Sequence, residues 1–225
     1  MQRVNKDYVK VPLVFPAGDQ TSTISSDIIS MKNYNHVDLF ITVGSAIGKA
    51  AAVTLNKSAA VAAATVSLPF TKFLSTGFIL KYTSPSVATI AAKAETISGA
   101  GGGAGTIYKD TGTSLICYGY NGTTFVTGET VTLSGGKTVV ANGIQINEDI
   151  MVPRETASAT TYTFDLAAVA NKQYCIPIDS AMLGEDYDCV QVEIADCDTV
   201  TYITVDAILS EPRYIGDIPE TAIYD

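Results

Sequence analysis

Residues 187–214, YDCVQVEIADCDTVTYITVDAILSEPRY, decide the fold class of this chain. Apolar and polar residues alternate in two runs, and a period of two is the pattern of a β-strand with one buried face. A polar segment at 196–198 separates the runs and predicts a short turn, so that the two strands pair as a hairpin. The alternating apolar residues are Val190, Val192 and Ile194 in the first run and Ile203, Val205, Ala207 and Leu209 in the second.

The first third of the chain has the same character. Val37, Leu39, Ile41 and Val43 form a second clean alternation, and the residues around Val53 predict the next strand after a turn. Residues 59–66 fit either a short helix or an Ala-rich loop. Helical periodicity is scarce elsewhere, while Thr, Val, Ile and Tyr are abundant and turn signals recur at short intervals. The pattern is typical of β-sandwiches and β-barrels, and we expect an all-β fold, a jelly-roll-like β-sandwich.

The middle of the chain differs in composition. Ser, Thr, Gly and Ala dominate residues 83–152, and GAGGGAG at 99–105 is interpreted as a flexible joint. Short strands are expected on its C-terminal side, one of them at 124–126, with tight hairpin turns at 121–122 and 142–143. We therefore expect residues 83–152 to be a small inserted β domain. Residues 1–82 and 153–225 would form one discontinuous sandwich domain, because loop insertions are thermodynamically tolerated.

Composition narrows the classes of protein. The chain has 225 residues and 47% hydrophobic content, enough for a packed core. It has no uncharged apolar run near the roughly 18 residues needed to span a membrane, and no apolar signal segment follows the basic N-terminus. We expect folding in a cytoplasm and no membrane partner. The four cysteines lack zinc-site spacing, so reduced thiols are expected, with a Cys189–Cys197 disulfide as the alternative.

Charge is divided unevenly along the chain. Residues 147–225 carry 16 acidic residues against three basic ones, a net charge of −13, whereas residues 1–146 carry a net charge of +4. The acidic part should repel nucleic acid. It forms either a solvated acidic surface or a surface complementary to a basic partner, including another copy of the chain. The basic residues are spread singly along residues 3–137 and are interpreted as solvated.

The groups that could support catalysis are few. His36 is the only histidine, and its place at the start of a strand predicts a rim residue rather than a catalytic base. Residues 134–138, SGGKT, lack the spacing of a phosphate-binding loop and predict a hairpin turn. Acidic pairs at 148–149, 185–188 and 196–198 lack the calcium-loop pattern and are interpreted as solvated turns. We therefore expect no catalytic residue, no cofactor and no metal site.

The C-terminal tail is the best candidate for a contact with a partner. Pro212 and Pro219 are expected to prevent regular strand pairing there, and an apolar extended tail should dock against another surface. Arginine and tyrosine are the residue types favoured in protein interfaces. The predicted interface residues are Arg213, Tyr214, Ile215, Ile218 and Tyr224.

The two ends of the chain together resemble a known family. The stretches that carry the resemblance are VPL (11–13), IISMKNYNHVDLFI (28–41), AVTL (52–55), LPFTKF (68–73), YDCVQV (187–192) and LSEPRY (209–214). They are similar to the small structural proteins of tailed-bacteriophage heads that decorate or stabilise the capsid, also called cement proteins. The resemblance covers roughly the first 80 and last 70 residues and does not include residues 83–152.

The resemblance implies a function and a set of partners. A member of this family would be a non-enzymatic virion protein on the capsid surface, a β-sandwich that binds the lattice of the major capsid protein as a homo-oligomer, dimer or trimer. Two other functions stay open. A phage tail or receptor-binding adhesion protein would place its function in the insertion, and a carbohydrate-active enzyme, a more remote alternative, would use carboxylates such as Glu148 or Asp149.

Overall fold

The computed structural model describes residues 8–14, 22–44, 51–62, 64, 66–83, 93–155, 161–164, 172–196, 202–213 and 223–224. Their regular structure is antiparallel β-strand, apart from one turn of 3₁₀ helix at Ser180–Met182. The predicted all-β fold class is confirmed. No helix in these ranges is long and apolar enough to cross a membrane.

Seventeen strands follow one another along the described parts of the chain. They are β1 (Tyr8–Val14), β2 (Ile24–Ser25), β3 (Ile28–Ser30), β4 (Tyr34–Val43), β5 (Ala51–Ser58), β6 (Val66–Ser67), β7 (Lys72–Thr83), β8 (Thr96–Gly99), β9 (Ala104–Asp110), β10 (Ser114–Tyr118), β11 (Thr130–Leu133), β12 (Thr138–Glu155), β13 (Thr161–Phe164), β14 (Lys172–Asp179), β15 (Cys189–Ile194), β16 (Ile203–Pro212) and β17 (Ile223–Tyr224).

Two sheets pack into a sandwich. One has the strand order β1-β16-β4-β14-β7, and the other has the order β13-β5-β15-β3-β17. In the second sheet β2 also pairs with β15, and β6 also pairs with β5. One cluster of buried side chains joins both sheets; Leu39 and Ile41 of β4 and Val53 and Leu55 of β5 have no exposed surface. Burying each such side chain stabilises the fold by about 1.5–3 kcal/mol. The alternating residues seen in the sequence supply this core.

The two strands of residues 187–214 do not form a hairpin. Every apolar residue of the two runs is buried as predicted, but β15 pairs with β5 in one sheet and β16 pairs with β4 and β1 in the other. The consecutive strands β15 and β16 therefore belong to opposite sheets. The prediction of a hairpin was wrong because alternation fixes which face of a strand is buried, not which strand it pairs with.

The larger sheet continues beyond the sandwich and closes into a barrel. From β7 the order runs β7-β10-β9-β8-β11-β12, and β12 pairs back to β7, which leaves no open edge among these six strands. A second cluster of buried side chains fills the barrel, including Phe78, Leu80, Ile107 and Leu115. The predicted domain boundaries, residues 83 and 152, fall at the end of β7 and inside β12, and these boundaries stay a prediction.

Strand β7 contributes side chains to both cores. One face is buried in its first half and the opposite face in its second half. Burial alternates from Phe73 through Ser75 to Gly77, and then slips by one residue, so that Phe78, Leu80 and Tyr82 are the buried residues of the second half. Phe73 belongs to the sandwich core, whereas the later three residues belong to the barrel core. Because successive side chains of a strand point to opposite faces, the larger sheet exchanges its buried face at Gly77.

The glycine-rich run at 99–105 is not a joint between domains. It forms the hairpin between β8 and β9 inside the barrel, where the Gly99 amide donates to the Gly103 carbonyl at 2.7 Å. A Cβ on Gly105 would stand 2.5 Å from the nearest atom of the Phe78 ring, so this glycine allows close packing. The predicted turn at 142–143 is also absent: β12 continues through it with a register shift, and Gly143 has a φ of +104°.

Two further segments differ from regular strands. Residues 124–126, predicted as a strand, form an irregular connection, yet Phe125 is buried against Phe78, with ring centroids 6.2 Å apart. Residues 59–66, left open between helix and loop, contain bends and turns in their described part, and Ala64 packs with Ile28 and Cys189. The loop interpretation is therefore the correct one there.

Candidate functional site

The predicted interface residues lie beyond or at the ends of strands. Arg213 follows β16 and is exposed; its Nε donates to Oδ1 of Asn35 at 3.1 Å, and its backbone N–H donates to the Asn33 carbonyl at 2.9 Å. These two bonds attach the residue to the β3–β4 turn. Arg213 thereby presents a positioned guanidinium at one end of the sandwich.

The end of the tail pairs with the chain's own sheet. Ile223 and Tyr224 form β17 beside β3, and Pro212 is the last residue of β16, opposite Tyr34. The expectation that prolines prevent regular pairing was wrong for these residues, since Pro212 occupies a strand end and β17 begins after Pro219. The predicted contacts Tyr214, Ile215 and Ile218 lie outside the described residues. Whether the tail meets a partner stays a prediction.

His36 sits between two carboxylates on the outer face of the larger sheet. Its Nδ1 lies 2.7 Å from Oδ1 of Asp179, and its Nε2 lies 3.2 Å from Oδ1 of Asp38. Burial lowers the pKa of His36, but the hydrogen bonds and charges of the two aspartates outweigh it, and the pKa is raised above 6.5. Both ring nitrogens can donate only in the protonated ring. The arrangement therefore stabilises a charged imidazolium rather than a free base.

The described cysteines are placed for packing, not for reaction. Cys117, Cys175 and Cys189 are free thiols and are buried. Burial, reinforced by nearby aspartates, raises the pKa of each thiol to about 12. The thiolate is the reactive form, so these groups are poor nucleophiles at neutral pH. Cys197, the proposed disulfide partner of Cys189, lies outside the described residues.

The remaining sequence candidates are the turn at residues 134–138 and the acidic pairs. Residues 134–137 form the predicted hairpin turn, since Leu133 N–H donates to the Lys137 carbonyl at 2.8 Å. Among the residues that the structure describes, no three His, Cys, Asp or Glu side chains are grouped as a metal site. The side chains of Glu148 and Asp149 and the pair Asp196–Asp198 fall wholly or partly outside that description.

A cleft at the junction of sandwich and barrel was missed by sequence reasoning. It has a volume of about 540 Å³, and strands β7, β9, β10, β12 and β14 contribute to its wall. Three basic residues that are far apart in the sequence meet there: Lys72, Lys93 and Arg154. Lys72 and Lys93 are exposed, as their interpretation as solvated charges predicted, but the sequence did not indicate that they lie beside Arg154 in one cleft. The positive balance of residues 1–146 gives no position.

Aromatic rings hold two of these cations in the cleft. The guanidinium carbon of Arg154 lies 3.8 Å from the ring centroid of Tyr118 and 5.3 Å from that of Phe73. Its Nη1 donates to Oγ of Ser75 at 3.4 Å. The Lys93 ammonium lies 5.6 Å from the Tyr108 ring centroid. Such contacts are worth about 0.5–2 kcal/mol each and restrict where the charge stands.

Comparisons with known proteins give only distant likenesses. No protein-family model matches the chain, and no curated protein matches its sequence. The chain is similar to the VP2 subviral particle of infectious bursal disease virus, with 8% identity, 98% of this chain and 86% of that one covered, and a TM-score of 0.20. A second structure, of T=1 particles derived from the same virus, has 9% identity, 92% and 77% coverage and a TM-score of 0.18. Likenesses at these scores carry no argument about function.

Proposed function

We propose that this chain is a non-enzymatic structural protein of a virus particle, which decorates and stabilises the capsid by binding the lattice of the major capsid protein. It would act as a homo-oligomer on the capsid surface, with no direct contact to nucleic acid. Repetition of one modest contact over many lattice positions multiplies the strength of attachment.

The proposal rests on the observation that strands from the two ends of the chain pair with each other. The stretches that resemble cement proteins lie in the first 80 and last 70 residues, and strands from both parts form one sandwich. Strand β4 pairs with β16 from Ile203↔Val43 to Pro212↔Tyr34, and β15 pairs with β5 from Cys189↔Ser58 to Ile194↔Val53. The parts that carry the resemblance are thus the parts that form a single body.

The state of the reactive side chains supports a non-enzymatic role. His36 is engaged by Asp38 and Asp179, and the described thiols have pKa values raised to about 12. A nucleophile needs an adjacent base or a lowered pKa to act at neutral pH. The pKa values of these thiols are raised rather than lowered, and the aspartates that accept hydrogen bonds from Cys175 and Cys189 raise them further, so these groups contribute to packing instead.

Attachment needs anchors, and Arg213 is the described residue that best fits one. Arginine is enriched among residues that dominate binding energy. Its backbone N–H and Nε bonds to the β3–β4 turn hold it at the exposed end of the sandwich. The acidic surface of residues 147–225 would favour a basic patch on the capsid protein through complementary charge.

The test uses the full chain and empty capsids of the virus that carries its gene. We expect saturable binding with a fixed number of copies per capsid, ordered density on the outer surface by cryo-electron microscopy, and capsids that withstand more heat or salt. Arg213→Ala should lower the occupancy, whereas Lys109→Ala, an exposed cation on the barrel strand β9, should leave it unchanged. Density inside the head, or absence of the protein from purified virions, would contradict the proposal.

A further inference from the structure

The junction cleft differs in charge from the molecule around it. Its described lining contains Lys72, Lys93 and Arg154 against one carboxylate, Glu155, a formal charge of +2. The whole chain carries −9. A cationic cleft in an acidic protein concentrates anions locally, since the surrounding surface repels them.

The cleft also has the dimensions of a ligand site. A volume of about 540 Å³ lies within the roughly 300–1,000 Å³ of small-molecule pockets, which tend to form where two structural units meet. Here the units are the sandwich and the barrel, because Lys72 precedes Phe73 of the sandwich core while Tyr108 and Tyr118 belong to barrel strands. Neither unit alone provides the complete wall.

Two of the three cations are positioned by other side chains of the cleft. Arg154 is held by the Tyr118 and Phe73 rings and by Ser75, and Lys93 lies over Tyr108. Because these side chains are already held in place, less conformational entropy is lost when a ligand binds. The planar donor fork of a guanidinium matches the oxygens of a carboxylate or phosphate, and an ammonium adds a point charge.

We propose that this cleft binds a saccharide that carries a carboxylate or a phosphate group. The anionic group meets Arg154 and the flanking lysines, and Tyr108 and Tyr118 also line the cleft, a residue type that combines an apolar ring with a hydroxyl able to hydrogen-bond to a sugar. This binding is separate from attachment to a capsid lattice, since it uses the barrel junction rather than the end of the sandwich where Arg213 lies.

The experiment titrates the full chain with three monosaccharides and follows binding by NMR chemical shifts and calorimetry. Glucuronic acid tests the carboxylate, glucose 6-phosphate tests the phosphate, and glucose is the uncharged control. We expect at least one anionic sugar to bind in the millimolar range or tighter, with affinity that falls as salt increases, and to bind at least about tenfold more tightly than glucose, the worth of one charged hydrogen bond. If glucuronic acid binds more tightly, the site prefers a carboxylate; if glucose 6-phosphate binds more tightly, it prefers a phosphate.

Variants locate the site on the molecule. Arg154→Gln should weaken binding of the anionic sugar by about tenfold or more, because it removes a charge-assisted contact. Arg154 also packs on Phe73, so two further variants, Lys72→Gln and Lys93→Gln, change exposed residues and remove no buried side chain. Each should weaken binding several-fold. Lys109→Gln is the matched control, because Lys109 is the exposed neighbour of Tyr108 on β9 and is absent from the cleft lining.

Three results would overturn the proposal. The first is that neither anionic sugar binds at concentrations up to tens of millimolar. The second is that glucose binds as tightly as the anionic sugars. The third is that Lys93→Gln and Lys72→Gln bind like the unaltered chain, or that Lys109→Gln weakens binding equally. None of these results bears on capsid attachment, which is measured with empty capsids.

Discussion

Nδ1 of His36 lies 2.7 Å from Oδ1 of Asp179, across the paired strands β4 and β14. Together with Asp38, this pair raises the pKa of the imidazole above 6.5. A histidine whose pKa is higher in the folded chain stabilises that chain below the unfolded value, near 6.5, and the stabilisation is lost as the pH rises through the folded pKa.

The first prediction follows from the raised pKa of His36. Asp179→Asn should lower the melting temperature at pH 5.5 by up to about 2–4 °C, the effect of a surface pair worth at most about 1 kcal/mol. The difference should shrink as the pH rises through the folded pKa of His36, so that it is smaller at pH 8.5 than at pH 5.5. Thermal unfolding at the two pH values is the measurement. An equal loss at both would show that Asp179 acts through packing and not through charge.

The second prediction concerns Gly77, where β7 exchanges its buried face. A Cβ there would stand 2.8 Å from the Cys117 carbonyl oxygen and would also collide with Val152. Gly77→Ala should therefore destabilise the chain by about 1–3 kcal/mol, the usual cost of overpacking. Gly44→Ala is the control, because its nearest neighbour would be 3.5 Å away. Denaturant unfolding in which the two variants match would contradict the packing described for β7.

The third prediction compares two adjacent residues of an irregular connection. Phe125 is 1% exposed, and Val126 is 61% exposed. Phe125→Ala should cost about 3–5 kcal/mol because it empties part of the barrel core, and Val126→Ala should change the free energy of unfolding by less than about 0.5 kcal/mol. Similar unfolding curves for the two variants would mean that residue 125 does not close the barrel.

The fourth prediction concerns the buried thiols. Because burial raises the pKa of Cys117, Cys175 and Cys189 to about 12, a thiol reagent at pH 8 should label them slowly in the native chain and rapidly in denaturant. Peptide mass spectrometry assigns the labelled positions. Rapid native labelling of any of the three would contradict its buried position.

The sequence predicted which residues are buried better than it predicted how strands are arranged. Val190 and Ile203 are buried as their alternation indicated, because a period of two depends only on neighbouring residues. The strands that contain them entered different sheets, because pairing depends on distant partners such as β5 and β4. Local patterns hold no information about those partners.

Glycine was the residue type whose role was hardest to predict. The run at 99–105 was interpreted as a joint from composition alone, although Gly105 provides space for the ring of Phe78. The cleft was missed for a related reason: Lys72, Lys93 and Arg154 come together only when the barrel closes. Their separation along the sequence exceeds the range of any local motif.

The sharing of β7 between two cores limits how the chain can be engineered. One half of β7 pairs with β14 of the sandwich and the other half pairs with β10 of the barrel, while β12 pairs with β7 along both halves. Excising residues 86–150 would remove most of β12 and leave Phe78, Leu80 and Tyr82 without their core, so loss of activity in such a truncation would report misfolding. A chimaera that replaces the barrel must instead exchange everything between Gly77 and Val152, with a glycine kept at the first position.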